Sequence, residues 1–245
     1  MKTSTVLKKF SMTATGAALF GAAISFVTLP ASAAVTVLDF ENIAPYPNNS
    51  DVLVQGFYNG GTSSIGTTGT NYGVEFSSNA LAVCLNTPGI ICSNASRGGL
   101  GNPNSQKGAL FFLSGAETFM NLASGFDTGF SFFYAAVNQS GSISVYDGLN
   151  GTGSLLASLS LPTTSSNCDP VYSAGFCPFV PVGVSFAGIA KSVSFGGVAN
   201  RIAFDDITFG SVTPDPKPVP EPASVLGLLA IGFLGAGSVL KRKLK

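Results

Sequence analysis

Carboxylates are the main chemistry this sequence offers. Its 245 residues include 12 acidic and 12 basic side chains and no histidine. Without imidazole there is no Ser-His-Asp or Cys-His catalysis, no His-ligated zinc and no histidine pH switch. Paired Asp and Glu residues are the remaining route to an enzyme, as in glycoside hydrolysis. The acids are spread along the chain with no pairing that singles out a hydrolytic site, so no catalytic residue is assigned. Four are candidates for metal binding instead. These are Asp39 and Glu41 near the start of the body, and Asp205 and Asp206 near its end. Hard oxygen ligands of this kind suit Ca²⁺ when strands bring them together.

Four cysteines, Cys84, Cys92, Cys168 and Cys177, are the second constellation. Four thiols allow three pairings. The local one, 84–92 with 168–177, closes the shortest loops and is the expected one, at about 2–3 kcal/mol each. Metal binding by these cysteines would need Cys-x-x-Cys spacing, which does not occur. The Gly/Asn-rich stretch 96–104 lacks the Lys-Ser/Thr that a phosphate-cradling loop requires. Six tyrosines, Tyr46, Tyr58, Tyr72, Tyr134, Tyr146 and Tyr172, could serve as sugar-stacking platforms, although each alone reads more simply as a core-edge residue and there is no Trp.

These groups sit between two ends of a different character. Lys2, Lys8 and Lys9 precede an uncharged run from Phe10 to Leu29, and Ala31 and Ala33 flank Ser32 in a signal-peptidase pattern. Residues 1–33 are therefore read as a cleaved signal peptide. At the other end, residues 212–222 alternate Pro with other residues, which favours an extended, semi-rigid spacer. Residues 223–240 carry no charge, and as a helix of about 27 Å would nearly cross a bilayer core of about 30 Å. Lys241, Arg242, Lys243 and Lys245 in the last five residues, 241–245, would stop translocation and hold that tail in the cytoplasm.

The run Val219-Pro220-Glu221-Pro222-Ala223-Ser224, then the apolar segment, then the basic cluster, resembles the PEP-CTERM sorting signal of bacterial exported proteins. All three parts stand in order over 219–245, in a chain that also has a signal peptide. The resemblance implies a precursor held at the inner membrane. An exosortase would act near Pro220, Glu221 and Pro222, and the body would pass to the cell surface, often among extracellular polysaccharide. It says nothing about the body itself.

Between the ends, residues 34–219 hold five basic against eleven acidic residues, a net charge of −6, which argues against nucleic acid and anionic lipid as partners. The local pattern is β. Residues 35–41, 130–134, 142–146, 155–161, 192–195 and 201–209 are short runs rich in Val, Ile, Leu, Phe and Tyr, separated by Gly, Asn, Asp and Ser. The expected fold is an all-β, antiparallel β-sandwich of jelly-roll type over residues 34–211, with its phenylalanines in the core. The one stretch that reads as helical lies around Glu117 to Leu122.

The opening Leu38-Asp39-Phe40-Glu41-Asn42 and the closing Ala203-Phe204-Asp205-Asp206-Ile207-Thr208-Phe209 resemble the first and last strands of galactose-binding-like carbohydrate-binding jelly rolls. In that family those strands lie side by side, and their acidic groups can hold a structural calcium. Strand alternation places Asp39 and Glu41 on one face and Leu38 and Phe40 on the other. The bland alternative is that the four carboxylates are solvated strand ends far apart. Together these features point to an exported, non-enzymatic surface or matrix protein with a structural or adhesive role. A carbohydrate-binding module is the second reading and a polysaccharide-active hydrolase the third.

Overall fold

Along Gly141–Tyr146 and Ala190–Gly196 the apolar residues Ile143, Val145, Val193 and Phe195 are fully buried, and two facing sheets provide the interior they need. The computed structural model describes residues 35–44, 51–85, 105, 107–165 and 176–215. The chain divides into two compact units, Met1–Ser32 and Ala33–Lys245, and every described residue belongs to the second. The signal-peptide, membrane-segment and basic-tail expectations, with Ala31, Ala33, Pro220, Glu221, Pro222 and Lys241 to Lys245, lie outside the described residues, as does the spacer from residue 216 onward. Among the described residues no helix is long and apolar enough to cross a membrane.

Twelve strands occur in the described residues: β1 (Thr36–Leu38), β2 (Val52–Leu53), β3 (Val74–Phe76), β4 (Leu81–Cys84), β5 (Gly108–Phe111), β6 (Glu117–Phe126), β7 (Gly129–Ala136), β8 (Gly141–Tyr146), β9 (Leu155–Leu161), β10 (Val180–Ser185), β11 (Ala190–Gly196) and β12 (Ile202–Phe209). One sheet runs β10-β7-β12-β5-β4-β2, with β1 also on β12, and the other runs β3-β6-β11-β8-β9. Every pairing is antiparallel. This is the expected all-β architecture of two packed sheets. Pro181, which cannot donate to a ladder, sits in β10 at the end of its sheet's strand order, where proline is tolerated.

The core between the sheets is aromatic. Phe130, Phe132, Phe195 and Phe204 are fully buried and linked edge to face, with Phe195 and Phe204 4.9 Å apart across the two sheets. Such geometry adds about 0.5–1.5 kcal/mol per pair beyond area burial. The seven-stranded sheet has a second, smaller core on its outer face. There Phe176 and Phe179, ahead of β10, cover Val83, Phe111, Ala135 and Ala203, and Phe111 meets Phe176 edge to face at 5.7 Å. A sheet covered on both sides has continuously apolar strands, and all eight residues of β12 are buried.

The helical reading of Glu117 to Leu122 is overturned, because these residues open the ten-residue strand β6. Their burial alternates with period two, Thr118, Met120 and Leu122 inward and Glu117 outward, and pairing to β3 and β11 fixes that alternation. Cys84 and Cys177 are each disulfide-bonded and buried. The expected partners, Cys92 and Cys168, lie outside the described residues.

Candidate functional site: an acidic junction on β12

β1 and β5 share one edge of β12. β1 takes its C-terminal half, Leu38 opposite Ile207 through Thr36 opposite Phe209, and β5 meets the N-terminal half at Phe204 opposite Leu110. The junction between them falls at Asp205 and Asp206. There β12 bulges, its register against β7 slipping between Asp205 and Thr208, and Asp206 adopts a left-handed φ of 44°. The consequence is visible in the spacing of core residues. Phe204 and Ile207 both enter the inter-sheet core, three apart instead of two. The extra residue keeps two successive carboxylates out of that core.

Both carboxylates are nonetheless withdrawn from solvent, with Asp205 at 0% and Asp206 at 2% exposure. Asp205 Oδ1 accepts the Asp206 backbone N–H at 2.8 Å. The Ser105 hydroxyl lies 3.1 Å from Asp205 Oδ2 and 2.8 Å from Asp206 Oδ1. A hydroxyl carries one proton and serves one of these acceptors at a time. Two carboxylates held this close and out of water disfavour ionisation of both. Burial raises the Asp205 carboxyl well above the ordinary carboxylate range, and the charges of Asp206 and Glu41 add to it.

The first strand supplies the other two acids, placed differently. Leu38 and Phe40 point into the core and Asp39 outward, although β1 ends at Leu38 and Phe40 is left-handed at φ 54°. Glu41 Oε1 accepts the backbone N–H groups of Lys107 at 2.7 Å and Gly108 at 3.1 Å, so this carboxylate fastens the start of β5. Asp39 Oδ1 accepts the Glu41 N–H at 3.2 Å. Desolvation raises Asp39, against the lowering effect of that N–H and with a further push from Asp215. Tyr58, buried beside it, accepts the Phe40 N–H on its hydroxyl at 2.8 Å. Its own proton is held more tightly than usual, by burial first and then by Asp39.

The structure thus brings Asp205 and Asp206 together under Ser105, sets Glu41 within electrostatic reach of Asp205, and leaves Asp39 on the outer side beside Tyr58. Among the described residues no group of three or more His, Cys, Asp or Glu side chains is arranged to hold a metal ion. A cleft of about 280 Å³ opens beside Glu41, Thr67 and Lys107, but Asp39, Asp205 and Asp206 are not among the described residues lining it. Ser105 and Gly108 complete the junction and were not marked by the sequence, while Tyr58, one of the six tyrosines marked as sugar platforms, is buried in it. Of the other tyrosines, Tyr134 is buried with its hydroxyl donating to the Pro162 carbonyl at 3.2 Å, Tyr146 is half-buried and Tyr72 is exposed. Tyr46 and Tyr172 lie outside the described residues.

Comparison with known proteins adds information mainly about the tail. Residues 218–243 match the family model of the PEP-CTERM protein-sorting motif, which indicates an exported protein processed at a membrane. No match is found among curated proteins. A glycoside hydrolase family 43 arabinoxylan arabinofuranohydrolase from Bacillus subtilis, solved in complex with cellotetraose, aligns over 60% of this chain and 30% of its own, at 16% identity and a TM-score of 0.33. The CBM22-1–GH10 modules of Clostridium thermocellum endo-1,4-beta-D-xylanase 10B, complexed with xylohexaose, align over 61% of this chain and 27% of theirs, at 12% identity and a TM-score of 0.32. The chain spans less than a third of either solved protein, and likeness at this level assigns neither ligand nor activity.

Proposed function

We propose that this is an exported bacterial surface or extracellular-matrix protein, delivered by a PEP-CTERM/exosortase route, whose all-β body has a non-enzymatic, structural or adhesive role. The observation that carries this reading is the tail. A sorting motif over 218–243 combines Pro220-Glu221-Pro222, an uncharged 18-residue segment and a basic end in fixed order. Prolines on either side of Glu221 favour extended backbone, which an exosortase at the inner membrane can grip without unfolding a domain. Signal peptidase would release the other end after Ala33.

The non-enzymatic part is supported by how the body uses its acids. Glu41 fastens backbone N–H groups, and Asp205 and Asp206 are sealed beneath Ser105. Burial raises the Asp205 carboxyl, so a proton held at the pair is one way to balance it; a structural Ca²⁺ is the competing species, and the two differ in their response to chelation.

Topology is the test. A phosphatase reporter, active only outside the cytoplasm, is fused after Ser211 in one strain and after Lys245 in another. Activity from the first fusion and none from the second is expected. Activity from the Lys245 fusion while the tail is still attached would overturn the reading.

A further inference from the structure

At the end of the sandwich where β6 turns into β7, a cleft of about 330 Å³ is walled by both sheets, a size within the range of small-ligand sites. Two large side chains that would ordinarily be withdrawn from water line it, Tyr72 at 39% and Ile189 at 50% exposure. A single exposed apolar side chain needs no explanation. Two lining the same concavity, one aromatic, make a platform.

Tyr72 is held in place. Its backbone N–H donates to the Tyr58 carbonyl at 2.9 Å, its ring lies 6.2 Å from the buried Tyr58 ring, and the next residue, Gly73, donates its N–H to Asn71 Oδ1 at 2.9 Å. Ile189 has its place because residue 125 is glycine. The pairing of β6 with β11 slips here, Phe126 opposite Ala190 but Asn121 opposite Ser192. Gly125 in this bulge is left-handed at φ 76°, and a Cβ there would collide with Ile189 Cγ2. The bulge therefore shapes the cleft.

The polar side of the cleft carries Ser124 and Asp127, both exposed. Asp127 accepts the Thr128 hydroxyl at 3.1 Å, and a carboxylate retains further acceptor sites. No basic side chain lines the cleft among the described residues. A ligand matched to these walls has an apolar face for Tyr72 and Ile189, hydroxyl donors for Asp127 and Ser124, and no negative charge.

We propose that this cleft binds a neutral saccharide, one or two sugar units laying a C–H face on Tyr72 and Ile189 while hydroxyls donate to Asp127. The proposal rests on the adhesive reading above and gives it a ligand class.

The test uses the full chain in a detergent without a sugar headgroup, titrated with cellohexaose, xylohexaose and maltohexaose. Tyrosine emission reports binding, because there is no tryptophan to mask it, and calorimetry is the second readout. Saturable binding of at least one probe is expected, with a Kd of about 1 mM or tighter. Tyr72→Ala and Asp127→Ala should each weaken it about fivefold or more with the melting temperature unchanged, while Ile65→Ala, at an exposed residue outside the cleft, should leave it intact. No saturable binding of any probe overturns the proposal, as does binding indifferent to Tyr72→Ala. Neither result bears on sorting, which is read separately at the mature C-terminus.

Discussion

Gly108 lies so close to the carbonyl oxygen of Phe40 that a Cβ at position 108 would overlap it. This approach, with Glu41 fastened on the N–H groups of Lys107 and Gly108, draws the chain leaving β1 against the start of β5. β1 and β5 in turn share the edge of β12 beside Asp205 and Asp206. Gly108→Ala should therefore destabilise the body by about 1–3 kcal/mol, the range for overpacking a well-packed site. Urea denaturation followed by circular dichroism measures this, and a loss below about 0.5 kcal/mol would contradict the close approach.

Glu41 is the complementary case, a side chain that satisfies two backbone donors. Glu41→Ala leaves both N–H groups to find other partners and should cost about 2 kcal/mol, whereas Glu41→Gln keeps an acceptor oxygen and should cost about 1 kcal/mol or less. Equal losses for the two variants in the same denaturation experiment would show that the carboxylate's charge, not its hydrogen bonds, matters.

Asp205 makes stability depend on pH with a definite sign. Its folded carboxyl is raised, by burial first and then by Asp206 and Glu41, above an unfolded value of about 3.9. The folded state therefore binds more protons in this interval. The contribution is fully present below about pH 3.9 and is lost as pH rises through the raised folded value. Asp39, also raised, acts in the same direction. The urea midpoint should fall as pH increases above about 4, and Asp205→Asn should flatten that slope even if it shifts the midpoint. An unchanged slope in Asp205→Asn would show that the buried pair does not bind the extra proton.

A shared proton and a cation predict different responses to chelation. With the proton, excess EDTA leaves the melting temperature unchanged and added Ca²⁺ gives no saturable rise. A drop of several degrees under chelation, restored by Ca²⁺ and abolished in Asp206→Asn, would establish a calcium site at the junction.

The sequence made some of this architecture legible for physical reasons. In β8, alternating Ile143 and Val145 with serines announces a strand with one buried face. β4 and β5 carry no such signal. Leu81–Cys84 and Gly108–Phe111 are buried on both faces, and a four-residue apolar run has no period to read. In β6, Phe119, Met120 and Leu122 resemble a helical face, and only pairing with β3 and β11 decides for a strand. At the junction, the bulge that keeps the adjacent Asp205 and Asp206 out of the core shows only in the register of β12 against β7. Ser105 is 100 residues away from Asp205 and has no local signature, and Gly108 reveals its role only when the Phe40 carbonyl is beside it.

Export and tail processing are tested most directly by mass spectrometry of the mature protein recovered from the cell surface. The predicted mass corresponds to a chain beginning at Ala34 and ending near Pro220-Glu221-Pro222, without residues 223–245. Recovery of the surface protein with Lys245 still at its end would contradict exosortase processing, and recovery from the cytoplasm with Met1 retained would contradict export.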